Sequence, residues 1–378
     1  MTPPSTRVIR ARVQPTETAS ATDRDRWEWH VAALEPLPPY SCLERTAKTF
    51  RDILPGVVSK RISRFLRINS ISANYHDDHV ECSTYGCLKF VIQLWRDDTD
   101  SEIVLVEIQR RKGCCLRMKN LRASIYHAIL APLAENDVPS ATILDTHQVP
   151  TDLHVAHFTQ ESKREGCKWT LQAAQRLLTS DCVDQNEFGM ECLHSVVMRS
   201  SGSDQQVSGC VAKNIVCGTG KHASELRAVF SDYFHDTGIE TESTCEIEPE
   251  TQDRPYARGL YFGVLHLIAL QVLESSLQRV LDLRELGNTE IELDIKSWFW
   301  RNMLEALVYN IEVAHCRPLE AAISSKSLSH ILTLAPVVQH CRRVEERLIP
   351  GLVRAHSFGS AHHLQLETES EHLIRRLS

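Results

Sequence analysis

Six basic residues, Arg110, Arg111, Lys112, Arg117, Lys119 and Arg122, fall within thirteen consecutive positions, and no Asp or Glu interrupts them. Guanidinium and ammonium groups at that density raise a local positive potential, which attracts anionic lipid, a phosphorylated partner or nucleic acid. The plainer alternative is a solvated rim, or internal pairing with an acidic run later in the chain. Tyr126 is the one aromatic close by that a base could stack on, which favours the rim.

A second set of residues has metal-ligand chemistry. Cys42, Cys82, Cys87, Cys114 and Cys115, with His76 or His79, are the groups that could collect zinc. None of the pairs has CxxC spacing, and the adjacent Cys114 and Cys115 would point to opposite faces of any strand. They are expected to be free thiols, and no metal site is assigned. His362, His363 and His372 lie among Glu367, Glu369 and Glu371 in what reads as a solvated C-terminal tract. His194 and His266 fall near apolar helix faces, where a core histidine bonded to a carbonyl is the expectation. Gly218-Thr219-Gly220-Lys221-His222 approaches a phosphate loop, but it lacks the full Gly-x-x-x-x-Gly-Lys-Ser/Thr pattern and follows no strand. It reads as a turn that ends a helix. With no nucleophile beside a base and no paired acids at a specific spacing, no catalytic residue is assigned and no cofactor is expected.

Composition narrows the setting. The formal net charge of −7 argues against a protein that coats nucleic acid. Thirteen cysteines scattered without short regular spacing fit a reducing compartment better than a secreted disulfide framework. The N-terminus has no apolar core of a signal peptide, and the most apolar stretch, Leu260 to Val272, suits a buried helix better than a bilayer span. The expectation is a cytoplasmic protein, or a nuclear one, with no transmembrane segment.

The elements that position these groups follow from hydrophobic rhythm. Residues 1–40, rich in Pro, Thr, Ser and Arg, read as a disordered tail. Leu43, Ala47, Phe50 and Leu54 recur at helix spacing after Ser41, and Pro55-Gly56 interrupts them; a second helix carries Val58, Ile62, Phe65, Leu66 and Ile68. The period then becomes two. Strands are expected at Ser70–Tyr75, His79–Thr84, Leu88–Trp95 and Ile103–Arg111, followed by a covering helix with Met118, Leu121, Ile125, Ala128 and Ile129. Together, residues 41–131 make a small α+β module, an antiparallel sheet with covering helices, and the Pro-containing stretch 132–160 a linker.

Downstream, strand signals vanish. Helices are expected at Glu161–Thr179, Asn186–Ser200, Gln205–Cys217, Ala223–His235, Ala257–Leu286, Ile291–Val313 and Lys326–Leu348, with a short last helix ending in Leu373, Ile374 and Leu377. Residues 161–378 thus read as one all-helical domain, interrupted by an exposed acidic loop at 239–253.

Two stretches resemble known families. LQAAQRLLTSDCVDQNEFGMECLHSVVMRSSGSDQQVSGCVAKNIVCG resembles an armadillo-type repeat. LKFVIQLWRDDTDSEIVLVEIQRRKGCCLRMKNLRASIYHAIL is similar to the kinase-associated type 1 domain, a small sheet backed by helices that touches acidic lipids or an adjoining domain, although no kinase domain precedes it here. The fold expected is therefore an α+β module followed by an armadillo-like helical stack. The leading functional reading is a non-catalytic protein–protein interaction scaffold or adaptor that uses the helical-repeat surface for a protein or peptide partner. The alternative is a peripheral membrane-associated regulator that binds anionic lipid through the basic edge of the module. Nucleic acid is not an expected partner.

Overall fold

In β4 (Lys89–Arg96) and β5 (Val104–Lys112) alternate residues are apolar, so a pleated strand turns Phe90, Ile92 and Leu94, and Val104, Val106 and Ile108, to one buried side. The two strands pair antiparallel with Ile92 opposite Ile108 and Leu94 opposite Val106, which stacks like on like across the ladder. The computed structural model that shows this describes residues 47–51, 53–76, 79–85, 88–96, 103–131, 160–180, 182–198, 204–218, 221–235, 255–287, 293–335 and 342–377. The expected tail and acidic loop lie outside the described residues, as does the expected linker except for Gln160, which begins a helix.

β1 (Lys48–Phe50), β2 (Ser72–Tyr75) and β3 (His79–Ser83) complete a five-stranded antiparallel sheet in the order β1-β5-β4-β3-β2. Helices α1 (Pro55–Ile68) and α2 (Cys115–Leu130) cover its buried face. Val58, Ile62 and Leu66 of α1, and Met118, Leu121, Ile125 and Ile129 of α2, are the apolar stripes that pack there. The N-terminal helix expected around Leu43 to Leu54 is corrected: residues 48–50 form edge strand β1 against β5, and Phe50 enters the core beside the Tyr126 ring at 5.9 Å. Pro55 starts α1 rather than separating two helices, because a residue without an N–H is best tolerated in the first turn.

After residue 160 the described chain is helical: α3 (Gln160–Leu178), α4 (Val183–Met198), α5 (Asp204–Cys217), α6 (Lys221–His235), α7 (Pro255–Glu285), α8 (Trp298–Glu312), α9 (Pro318–Leu334), α10 (Arg342–His362) and α11 (Leu364–Leu377). In α7 every residue from 265 to 277 is buried, so this helix lacks a solvent face there and must be central. It packs against α4, α5 and α9. Gly287, at φ +91°, ends it with a backbone turn that a side chain would strain.

Several expectations are corrected here. The single helix drawn from Lys326 to Leu348 is two, α9 and α10, because it was carried across Pro336. Helix α8 begins at Trp298, capped by the Ser297 hydroxyl, not at Ile291. Trp169 and Phe188, apolar residues of the helices expected at Glu161–Thr179 and Asn186–Ser200, are 67% and 57% exposed. In α3 the buried residues are Cys167, Leu171, Ala174 and Leu178, spaced by four, three and four, and Trp169 sits almost half a turn away from that stripe. The histidine tract at the C-terminus is solvated only in part: it belongs to the α10–α11 hairpin, where His372 is exposed and His362 half-buried, but His363 is fully buried.

One end of the sheet stands on the helices. Arg67 of α1 donates to the Ser360 carbonyl at 2.8 Å and to Glu367 at 3.0 Å, and the Ser70 hydroxyl accepts the Gln365 N–H at 2.8 Å. Beside them Tyr85, in the β3–β4 connection, donates to Glu274 of α7 at 3.1 Å and offers its carbonyl to Gln271. At the C-terminal end of β5, Lys112 pairs with Glu187 of α4.

Candidate functional site

The positions on α1 that do not face the module core recur at 60, 63, 64 and 67, which places Lys60, Ser63, Arg64 and Arg67 along one outer stripe. That stripe is one wall of a cleft of about 810 Å³ between the module and the helices. Strand β2, from Ser72 to Tyr75, continues the wall, and the opposite side comes from His315, Cys316 and Pro318 at the α8–α9 turn and from Phe358 and His362 of α10. Three cationic side chains and two imidazoles line it, and among the described residues no carboxylate does. The N-terminus of α9 adds the positive end of its dipole at Pro318.

The wall is fixed by its own bonds. Arg67 is held by Ser360 and Glu367, and its charge, after burial, helps to push the His362 imidazole below its usual range. Tyr75 donates to Ser63 at 3.4 Å, and burial pushes its phenol up to about 12, so it stays a neutral donor. Sequence reasoning missed this site. The signal was there in Lys60, Arg64 and Arg67 at helix spacing, but the residues opposite them are about 250 to 300 positions away.

The six basic residues expected to bind a partner are brought to one end of the sheet, at the close of β5 and the first turns of α2, yet they separate into two groups. Lys112 is bound to Glu187, and Arg117 is close enough to His194 of α4 to act on its charge state. Arg110, Arg111 and Lys119 are exposed, with Arg110 also donating to the Gly113 carbonyl at 2.8 Å, while Arg122 is half-buried beside Tyr126. Between them Leu116 stands 69% exposed. Cys114 and Cys115 are exposed next to it. The backbone N–H groups of Arg117 and Leu116, followed by the charges of Arg117 and Arg110, lower the Cys114 thiol below its ordinary value, as expected at a helix N-terminus.

A third cluster is internal. Glu274, almost fully buried, meets Lys326 Nζ at 2.8 Å, His330 Nε2 at 3.5 Å and the Tyr85 hydroxyl at 3.1 Å. Burial works to raise the carboxyl, but His330 and Lys326 outweigh it and hold Glu274 at about 2. None of these groups lines the cleft. The cluster ties α7, α9 and the β3–β4 connection together, and breaking one such buried partner typically costs about 3–5 kcal/mol.

No family model matches this chain, and neither a curated protein nor a solved structure does. Among the described residues no helix is long and apolar enough to cross a membrane.

Proposed function

We propose that this chain is a non-catalytic interaction scaffold that holds an acidic segment of a partner protein in the cleft between the module and the helices. The observation that carries this reading is a concave wall with Lys60, Arg64, Arg67, His315 and His362 and, among the described residues, no carboxylate. Its volume suits several side chains rather than one ion; Arg67 is committed to Glu367 and Ser360, so Lys60 and Arg64 are the cations assigned to the partner's carboxylates. The resemblance of α3 to α5 to an armadillo-type repeat supports the same class of function, with the partner site moved from the repeat surface to the junction. The test is fluorescence anisotropy with a labelled poly-glutamate peptide. Native chain should bind it in a salt-sensitive way, and K60E/R64E should weaken binding at least about tenfold, while R111E/K119E should not. Equal binding by all three proteins would overturn the reading.

A second reading rests on Leu116. A leucine 69% exposed and flanked by outward Arg110, Arg111 and Lys119 is the arrangement that inserts an apolar tip between lipids while cations meet anionic headgroups. Three such cations contribute on the order of 3 kcal/mol near a charged membrane. Sedimentation with phosphatidylserine vesicles separates the two readings: lipid binding that L116S and R111E/K119E abolish favours the rim, and indifference to lipid charge removes it.

A further inference from the structure

We propose that the β2–β3 hairpin carries a surface site for a divalent transition-metal ion, zinc by its donor chemistry, held by His76, His79 and Glu81. The strand register makes the site. Asn74 pairs with Glu81 and Tyr75 with Val80, and the His76 N–H donates to the His79 carbonyl at 2.8 Å, so His76 stands opposite His79 at the hairpin end. Directly opposed residues share a face, as do residues two apart on one strand. Asn74, His76, His79 and Glu81 are therefore on one side, while Val80 and Cys82 point the other way into the core. Zinc with these histidines and the Cys82 thiol, the combination weighed from the sequence, is excluded by that alternation.

The two rings stack at 4.5 Å with 16° between their planes. One ligand atom from each of His76, His79 and Glu81 lies within 4.8 Å of the other two. His76 Nε2 is 3.7 Å from one Glu81 oxygen, and His79 Nε2 is 3.9 Å from the other. Ligands at zinc-bond lengths in a tetrahedron stand about 3.3 Å apart, so closing the site needs side-chain shifts of roughly half an ångström for the two His–Glu contacts and at most about 1.5 Å for any pair. Asn74 Nδ2 lies 3.3 Å from His76 Nε2 and would have to yield that nitrogen to the ion. Two imidazoles and one carboxylate, with water completing the shell, suit zinc and its neighbours over the all-oxygen sites of calcium or magnesium.

Stability alone gives little reason for this grouping. The Glu81 side chain is 58% exposed, and solvent-screened contacts of that kind contribute little. A bound ion would instead join β2 to β3 at the hairpin end, on the strand that also lines the cleft. The site does not depend on what the cleft binds.

Thirteen cysteines elsewhere require a probe that distinguishes donor types. Cobalt(II) titration of the reduced full-length chain provides it, compared with H76A/H79A and with E81Q. All three substitutions are at partly or largely exposed positions, and circular dichroism checks that the variants fold. The native chain should take up one more ion than H76A/H79A. The difference spectrum should carry visible d–d bands without thiolate charge transfer, and E81Q should bind at least about tenfold more weakly. Equal uptake by native chain and H76A/H79A, or a difference spectrum dominated by thiolate charge transfer, would overturn the assignment.

Discussion

His266 shows how much of this fold is decided by single polar atoms. It is 2% exposed inside α7, with Nδ1 3.1 Å from the Tyr233 carbonyl and Nε2 3.3 Å from the Asn310 amide. Both of these partners are oxygen acceptors, since Asn310 presents Oδ1 to the ring while its Nδ2 donates to Ser324, so a neutral imidazole donates to only one of them. Burial lowers the imidazole from 6.5 to about 4. The unfolded chain therefore takes up a proton that the folded chain refuses, and stability falls as pH drops from 6.5 to 4, with no further loss from this group below that. The effect is roughly 2 kcal/mol between pH 6.5 and about pH 5. Urea midpoints at the two pH values should show it, and H266Q, which cannot titrate, should reduce the slope; an unchanged slope would count against a neutral buried ring. Glu274 acts in a separate window: its carboxylate is held low, so its contribution is present above about 4.5 and is lost as pH falls towards 2. The role of His266 was legible from its apolar neighbours. That of His363 was not, because Leu364 and Leu366 beside it are interspersed with Gln365, Glu367 and Glu369 and its burial comes from a helix hairpin.

That hairpin depends on Gly359. A Cβ there would stand 2.5 Å from the Glu367 backbone nitrogen and 2.9 Å from its Cα, and backbone cannot move aside as a side chain can. G359A is expected to lower stability by about 1–3 kcal/mol, read as a drop in thermal midpoint; a midpoint unchanged from native would mean α10 and α11 do not approach so closely. The strands were the most legible elements, since the alternation in Phe90, Ile92 and Leu94 survives in any context with one buried face. Residues 48–50 were harder. Three residues at a sheet edge have too few positions to show a period, and only pairing with residues 104–106 of β5 decides their conformation. Trp169 and Phe188 are hydrophobic by type but out of phase with the buried stripes of α3 and α4, and only that phase shows that they face outward.

At the scale of the molecule, the basic rim was readable and the cleft was not, for one reason. Arg110 to Arg122 are contiguous, so a list of residues already reveals their charge. The cleft exists only where α1 and β2 meet the α8–α9 turn and α10, a junction made by Arg67 with Ser360 and Glu367 and by Ser70 with Gln365. Nothing in sequence order brings residue 67 to residue 367. The proposed function rests on that junction because it is concave, cationic and anchored on both sides. The most direct test is hydrogen exchange of the full-length chain with and without the poly-glutamate peptide. Slowed exchange should appear in residues 60–75 and 358–362, the two walls of the cleft. Slowing confined to residues 110–122, or absent everywhere at saturating peptide, would contradict it.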